Sequence, residues 1–487
     1  MRTPPSTWLA LSAALSGTAT AFYPYNFDSD TTSHVRRLPE AKGAPLDAVT
    51  LPLRRVASPL RSRQNAYNIL NSNDPKQENS VAIDQDGGDL SYMVAVTFGD
   101  SKEEYHLLLD SAASNTWVMG QDCTTESCKT HTTFGNGDSS TLKEETTPFS
   151  VTYGTGSVRG TLASDTLHIG ALSPTLTFGL ATNVSEEFRS YPMDGILGIG
   201  RGTKTSSGIN APQVMDVLAS SSLLPSKRYA IHLSRARDSL LDGELNFGDL
   251  NPAHFSGAIN YIPCVPSSST GFWEIPLTDA GVDGAQLGFT GKTAIIDTGT
   301  SFILMPRPDA EALHARIPGS AQSGETFSVP CDTSAVVQFS FGNTVYNIST
   351  SDWRGGKLDS GLCRSNIVGR QTFSASQWLV GDVFLKNVYA VFDYEMEGGS
   401  VGFGVKGVET QSLDASSSPS ASASSTTTAS AVLAASPAAH NGPATSSGAA
   451  SPPNAASTPH SGASSSQVHV WTTLFACIII IRSSTFF

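Results

Sequence analysis

Two short stretches carry the chemistry of this chain. LLLDSAAS, residues 107 to 114, and AIIDTGTS, residues 294 to 301, each set an aspartate, Asp110 and Asp297, directly after three apolar residues. An apolar run that ends in a carboxylate reads as a buried strand delivering the acid at its exit turn. Each acid is followed at nearly the same distance by two apolar residues and a glycine: Ile196-Leu197-Gly198 ends 88 residues after Asp110, and Leu379-Val380-Gly381 ends 84 after Asp297. Two carboxylates brought face to face cannot both ionise at ordinary cost, so they share a proton and titrate as a coupled pair. The ionised member can then take a proton from a bridging water while the protonated member hydrogen-bonds a substrate carbonyl. That is amide hydrolysis by activated water, and it calls for no metal, cofactor or covalent intermediate. The sequence contains neither an H-E-x-x-H nor a G-x-S-x-G motif, the usual signatures of a zinc peptidase and of a serine hydrolase.

Elements that could position such a pair are strands. Short runs rich in Val, Ile, Phe and Tyr recur between Gly, Asn, Asp and Ser clusters, as in YMVAVTFGD (92 to 100), TLHIGA (166 to 171), GELNFGDL (243 to 250) and VYAVFDYE (388 to 395). Helical patterns are few and short, such as QVMDVLASS (213 to 221) and DAEALHARI (309 to 317). The internal repeat of Asp and Gly signals predicts an all-β, bilobal body with an approximate twofold and a cleft between the lobes. The expected domain covers 78–410, with an N-lobe of about 78–255 and a C-lobe of about 256–410.

The termini have a different character. Arg2 precedes WLALSAALSGTATA, too short to span a bilayer and closing on Ala19-Thr20-Ala21, so residues 1–21 read as a signal peptide. Residues 22–77 carry a net charge of +3 and 78–410 a net of −17, which predicts a basic propeptide held partly by ion pairs to an acidic body. Arg36-Arg37 and Arg54-Arg55 are dibasic processing candidates. The acidic body argues against a nucleic-acid partner, which would need clustered Lys and Arg. From 411 to 465 the chain is Ser, Ala, Thr and Pro with almost no charge, a composition that suits an O-glycosylated stalk. The tail, 466–487, includes VHVWTTLFACIIII at 468 to 481, which as a helix rises only about 21 Å against a hydrocarbon core of about 30 Å. With the small triplet Asn454-Ala455-Ala456 upstream across a polar spacer, it reads as a GPI-attachment signal with Asn454 as the candidate attachment residue. The chain is therefore expected on the outer face of the plasma membrane or the cell wall, as a monomer, or released from it.

From about 78 to 410 the sequence resembles a pepsin-like aspartic endopeptidase, and the whole layout resembles the fungal GPI-anchored, yapsin-type members. The resemblance rests on D110SAASNTW, Y153GTGS, D194GILGIG, F272WEI, D297TGTS and G381DVFLKNVYAVFD in that order. It implies Asp110 and Asp297 as the catalytic pair, Ser111 and Thr298 as hydroxyls bracing the two loops, and Gly299 and Thr300 as further dyad support. Tyr153, Gly154 and Thr155 match a hairpin flap over the substrate, with Gly156 helping the turn and Trp117 hydrogen-bonding the flap tyrosine. It implies disulfides Cys123–Cys128 and Cys331–Cys363; CTTESC is a weak alternative as a zinc knuckle, and no metal is expected. Cys264 is expected as a buried thiol, and Cys477 lies in the tail. Asn183 and Asn347 sit in glycosylation sequons. The substrates implied are proteins or peptides.

One departure stands out. The family writes Asp-Thr-Gly-Ser or Asp-Ser-Gly-Ser at its first site, and this chain writes Asp110-Ser111-Ala112-Ala113. Ala113 lacks a hydroxyl that would favour the nearby carboxylate, so the pair should titrate higher. Ala112 costs about 1 kcal/mol or more if its φ is positive, and only crowding if it is negative. A strained Ala112 would favour a catalytically silent, pepsin-like binding protein instead.

Overall fold

The computed structural model describes residues 65–406 apart from Thr155, 203–207 and 267–270. The signal peptide, most of the propeptide, the stalk, Asn454, Cys477 and the tail lie outside the described residues.

Strands dominate, as the alternation of β-branched and aromatic residues requires. The runs read from the sequence form Tyr92–Phe98, Glu244–Phe247 and Val388–Asp393, and TLHIGA begins inside the longer strand Gly156–His168. The two helical patterns form Val214–Ser220 and Arg307–His314.

Topology repeats around each aspartate. In an eight-stranded sheet, Tyr105–Asp110 runs parallel to Gly195–Gly198, with Asp110 opposite Gly198. Gly195–Gly198 in turn lies antiparallel to Trp117–Met119, the strand that leaves the Asp110 loop. In a five-stranded sheet, Lys292–Ile296 runs parallel to Gln377–Val380, which lies antiparallel to Ile303–Leu304, the strand that leaves the Asp297 loop. Each Asp loop therefore crosses over the end of its apolar-apolar-glycine strand.

That crossing explains the glycines of the repeat. A Cβ on Gly381 would lie 1.8 Å from the Thr300 carbonyl oxygen, and one on Gly198 would lie 2.3 Å from that of Asn115. No other residue permits so close a backbone approach. Hydrogen bonds then lock the crossings: Gly200 N donates to Ala113 O (2.7 Å), and Asp382 N to Thr300 O (2.8 Å).

A third, six-stranded sheet draws on both halves of the chain, in the order Ser80–Ala82, Glu244–Phe247, Arg228–His232, Val388–Asp393, Ser400–Val405, Ser256–Pro263. The segment ahead of it, from Asn65, packs on the body: Ala66 N donates to Thr130 O (2.9 Å), Leu70 pairs with Gln85, and the Tyr67 ring stacks on His131 with centroids 5.0 Å apart. Both expected disulfides are formed, Cys123–Cys128 and Cys331–Cys363. Cys264 is a free, buried thiol, and burial pushes it up to about 11. Asn183 and Asn347 are exposed on strands Thr175–Val184 and Thr344–Ile348.

Candidate active site

Asp110 ends its strand, Asp297 follows Ile296 directly, and both are fully buried. The loops that carry them are tied by a reciprocal brace. The Ser111 hydroxyl donates to Ile296 O (2.9 Å) and accepts from Thr298 N (3.0 Å). The Thr298 hydroxyl donates to Leu109 O (2.7 Å) and accepts from Ser111 N (3.0 Å). Four hydrogen bonds thus relate the loops by an approximate twofold and hold the two acids at fixed separation. Each hydroxyl is spent as both donor and acceptor, which is why a hydroxyl residue is needed at both positions.

The carboxyls themselves are held differently. Asp110 Oδ1 accepts from Ala112 N (2.9 Å) and Ala113 N (2.7 Å), whereas its buried Oδ2 has no hydrogen-bond partner among the described residues. Asp297 has both oxygens occupied: Gly299 N donates to Oδ1 (2.8 Å) and the Thr300 hydroxyl to Oδ2 (2.6 Å). Burial pushes both carboxyls above the ordinary range, and the Asp297 charge raises Asp110 further. At Asp297 the Thr300 hydroxyl and the Gly299 N–H oppose that rise. A pair so arranged retains one proton where isolated carboxyls would have lost it.

Ala112 has a simple resolution. Its backbone lies outside the left-handed region, and its methyl is buried in the main hydrophobic core. No backbone strain follows, so this position is no reason to read the site as silent. The twofold-related residue is not interchangeable in the same way, because a Cβ on Gly299 would lie 2.6 Å from Asp110 Cγ.

Tyr153 ends the strand Lys143–Tyr153 and pairs with Gly156 at the tip of the hairpin that returns through Gly156–His168. Trp117 Nε1 donates to its hydroxyl (2.7 Å). Gly154 is at that tip, and Thr155 lies outside the described residues. Gly156 is needed there because a Cβ would meet Ser185 Oγ at 2.3 Å. Phe188, in the short turn Glu186–Ser190, packs edge-on against both rings, with centroids 5.6 Å from Trp117 and 5.8 Å from Tyr153. Sequence reading missed Phe188: EEFRS carries no periodicity, and only its aromatic type hinted at a packing role.

A profile described as eukaryotic aspartyl protease matches residues 91–405. The chain is 40% identical over 430 residues to the aspartic-type endopeptidase ctsD of Aspergillus fumigatus, covering 84% of this chain and 89% of that one. It is 32% identical to major aspartyl peptidase 1 of Cryptococcus neoformans, covering 66% and 70%. Similarity extends to pepsin A of Bos taurus at 30% identity, covering 63% of this chain and 82% of that one. Among the described residues no helix is long and apolar enough to cross a membrane.

Proposed function

The chain belongs to the eukaryotic aspartyl protease family and is an aspartic-type endopeptidase, and from that premise we propose that Asp110 and Asp297 cut peptide bonds with Asp110 as the acid and Asp297 as the base. The carrying observation is the unequal saturation of the two carboxyls. A proton on Asp110 Oδ2 displaces no existing hydrogen bond, whereas on Asp297 it would compete with the Gly299 N–H or the Thr300 hydroxyl. Asp297 therefore accepts a proton from the bridging water as that water attacks the scissile carbonyl. Asp110 donates its own to the carbonyl oxygen, and as the resulting gem-diol breaks down Asp297 passes its proton to the leaving nitrogen while Asp110 takes one back from a gem-diol hydroxyl, giving amine and carboxylic acid. The brace by Ser111 and Thr298 supplies the fixed geometry this step needs. The Tyr153 hairpin is the flap that covers an extended peptide and excludes water.

This reading includes secretion as a zymogen with a basic propeptide, a peptidase domain over 78–410, and a GPI anchor at or near Asn454, as in yapsin-type enzymes. The apolar start, the change of charge near residue 78 and the stalk-and-tail composition support it. Digestion of a mixed peptide library by the processed domain, from about pH 3 to about pH 7 and with a pepstatin control, tests the activity. Internal cleavage blocked by pepstatin is expected, with a maximum in acid; an alkaline maximum contradicts it. Release of cell-bound enzyme by a phosphatidylinositol-specific phospholipase tests the anchor, and retention after treatment contradicts it.

A further inference from the structure

Ahead of the six-stranded sheet, the segment that begins at Asn65 is bound to the body more closely than a detachable leader needs. Asn65 Nδ2 donates to Asp194 Oδ1 at 3.1 Å and to Pro192 O, while Asn65 Oδ1 accepts from Tyr67 N at 3.0 Å. Asp194 is fully buried, and it also accepts from Thr132 N at 2.8 Å and His106 N at 3.0 Å. The Tyr67 hydroxyl donates to Arg189 O. Leu70 N donates to Gln85 O at 2.7 Å, and Gln85 N returns a bond to Leu70 O at 3.1 Å. The segment thereby covers Asp84–Gln85, the edge strand of the sheet that carries Asp110. Ser72 N donates to Asp84 Oδ1 at 2.8 Å, and Asn73 N to Leu241 O at 2.7 Å.

We propose that residues 64–77 stay on the mature enzyme as a strap that braces the flap, and that a processing peptidase selective for basic residues cuts between Arg63 and Gln64. The inference rests on the zymogen reading above and fixes how much of the leader departs. Charge draws the boundary. Residues 22–63 hold 7 Lys/Arg against 4 Asp/Glu, whereas 64–77 hold one of each, so the basic excess that would ion-pair with an acidic body ends at Arg63. Arg61-Ser62-Arg63 is the last basic cluster before the bound segment. Hydrolysis there adds one water across the Arg63–Gln64 amide, leaving the Arg63 carboxylate on the released piece and the Gln64 α-amine on the enzyme. A cut near residue 78 would instead strip a donor from a fully buried carboxylate and bare a sheet edge, both destabilising.

Two contacts carry the strap to the flap. Arg189, whose carbonyl takes the Tyr67 hydroxyl, directly follows Phe188, the ring packed edge-on against Trp117 and Tyr153. Ile69 packs against the hydrophobic cluster that contains Trp117, Tyr153 and Phe188. Tyr67 is therefore a positioning residue, acting on the hairpin through the turn Glu186–Ser190. The carboxyls of Asp110 and Asp297 take their hydrogen bonds from their own loops, so keeping the strap takes nothing from the dyad.

The test is N-terminal peptide mapping by mass spectrometry of the enzyme as secreted and matured from the full chain, followed by kinetics on one extended peptide. A start at Gln64, free or cyclised, is expected, and it should be lost when Arg61→Ala and Arg63→Ala are combined. A start beyond Gln64 overturns the proposal, and one directly after Arg37 or Arg55 overturns the cut at Arg63. A start near Phe22 overturns the zymogen reading itself. Tyr67→Phe deletes the bond to Arg189 O and should raise KM about 3-fold with kcat within about 2-fold of wild type. Asn71→Ala, exposed on the same strap, should leave both unchanged. An unchanged KM in Tyr67→Phe overturns the bracing role.

Discussion

At the residue scale the account turns on which atoms each aspartate has left over. Asp297 takes a hydroxyl bond from Thr300, and Asp110, with Ala113 at the matching position, takes only backbone N–H groups. Peptide cleavage fails in strong acid when the pair becomes doubly protonated, so the acid limb of the pH profile follows the stability of the carboxylate. Thr300→Ala removes a donor from Asp297, the base, and should move that limb of kcat/KM up by about 1 pH unit. Ala113→Ser adds a donor for Asp110, the member that holds the proton, and should move the alkaline limb down by a similar amount, as initial rates on a single peptide across pH will report. A second pair of variants separates the twofold-related small residues. Gly299→Ala forces a methyl to 2.6 Å from Asp110 Cγ, and displacement of the acid on the order of 1 Å should cost about 100-fold in kcat. Ala112→Gly relieves no strain, so its kcat should stay within about 3-fold of wild type. The conformation at 112 was not legible in the sequence because φ is set by how the loop crosses Gly198 and Gly200, residues about ninety positions away.

At the element scale, the sequence made the Asp strands legible because both halves write the same signal. Three apolar residues precede the acid, and an apolar-apolar-glycine strand returns to lie under the loop. The flap hairpin was legible from Tyr153-Gly-Thr-Gly, but its support was not. Phe188 reaches Trp117 and Tyr153 only because the strand Thr175–Val184 delivers the turn that follows it to the hairpin. Trp117→Phe tests the flap support directly. It deletes the donor to Tyr153 and part of a fully buried ring, so kcat/KM should fall about 10-fold, the equivalent of about 1.4 kcal/mol, with a lower melting temperature from the cavity left behind. An unchanged kcat/KM would remove the tyrosine–tryptophan bond from the mechanism.

At the scale of the whole molecule, buried acids set the dependence of stability on pH. Burial raises Asp110, Asp382 and Asp194, with Asp194 raised to about 6. In the unfolded chain such groups titrate near 3.9. Between those values the folded state holds protons that the unfolded state has lost, so stability is greatest below the unfolded value and declines as pH rises through the folded ones. Asp352 works in the opposite direction. Burial pushes it up, but the Arg235 guanidinium, donating to both of its oxygens at 2.9 to 3.2 Å, brings it below the ordinary range. Its contribution is lost as pH falls below about 4. The melting temperature should therefore peak near pH 4 to 5 and drop toward neutrality, with a shallower decline in Asp194→Asn. A melting temperature that climbs from about pH 4 to about pH 7 would contradict the assignment of these acids as protonated in the fold.

The most direct test of the central claim is kcat/KM for one cleaved peptide, measured across pH in the wild type and in folded, processed Asp297→Asn. A bell-shaped acid profile in the wild type, falling by about 10³-fold or more in the variant, is the predicted result. Undiminished cleavage by Asp297→Asn would contradict it, because a pair that has lost its base cannot activate water.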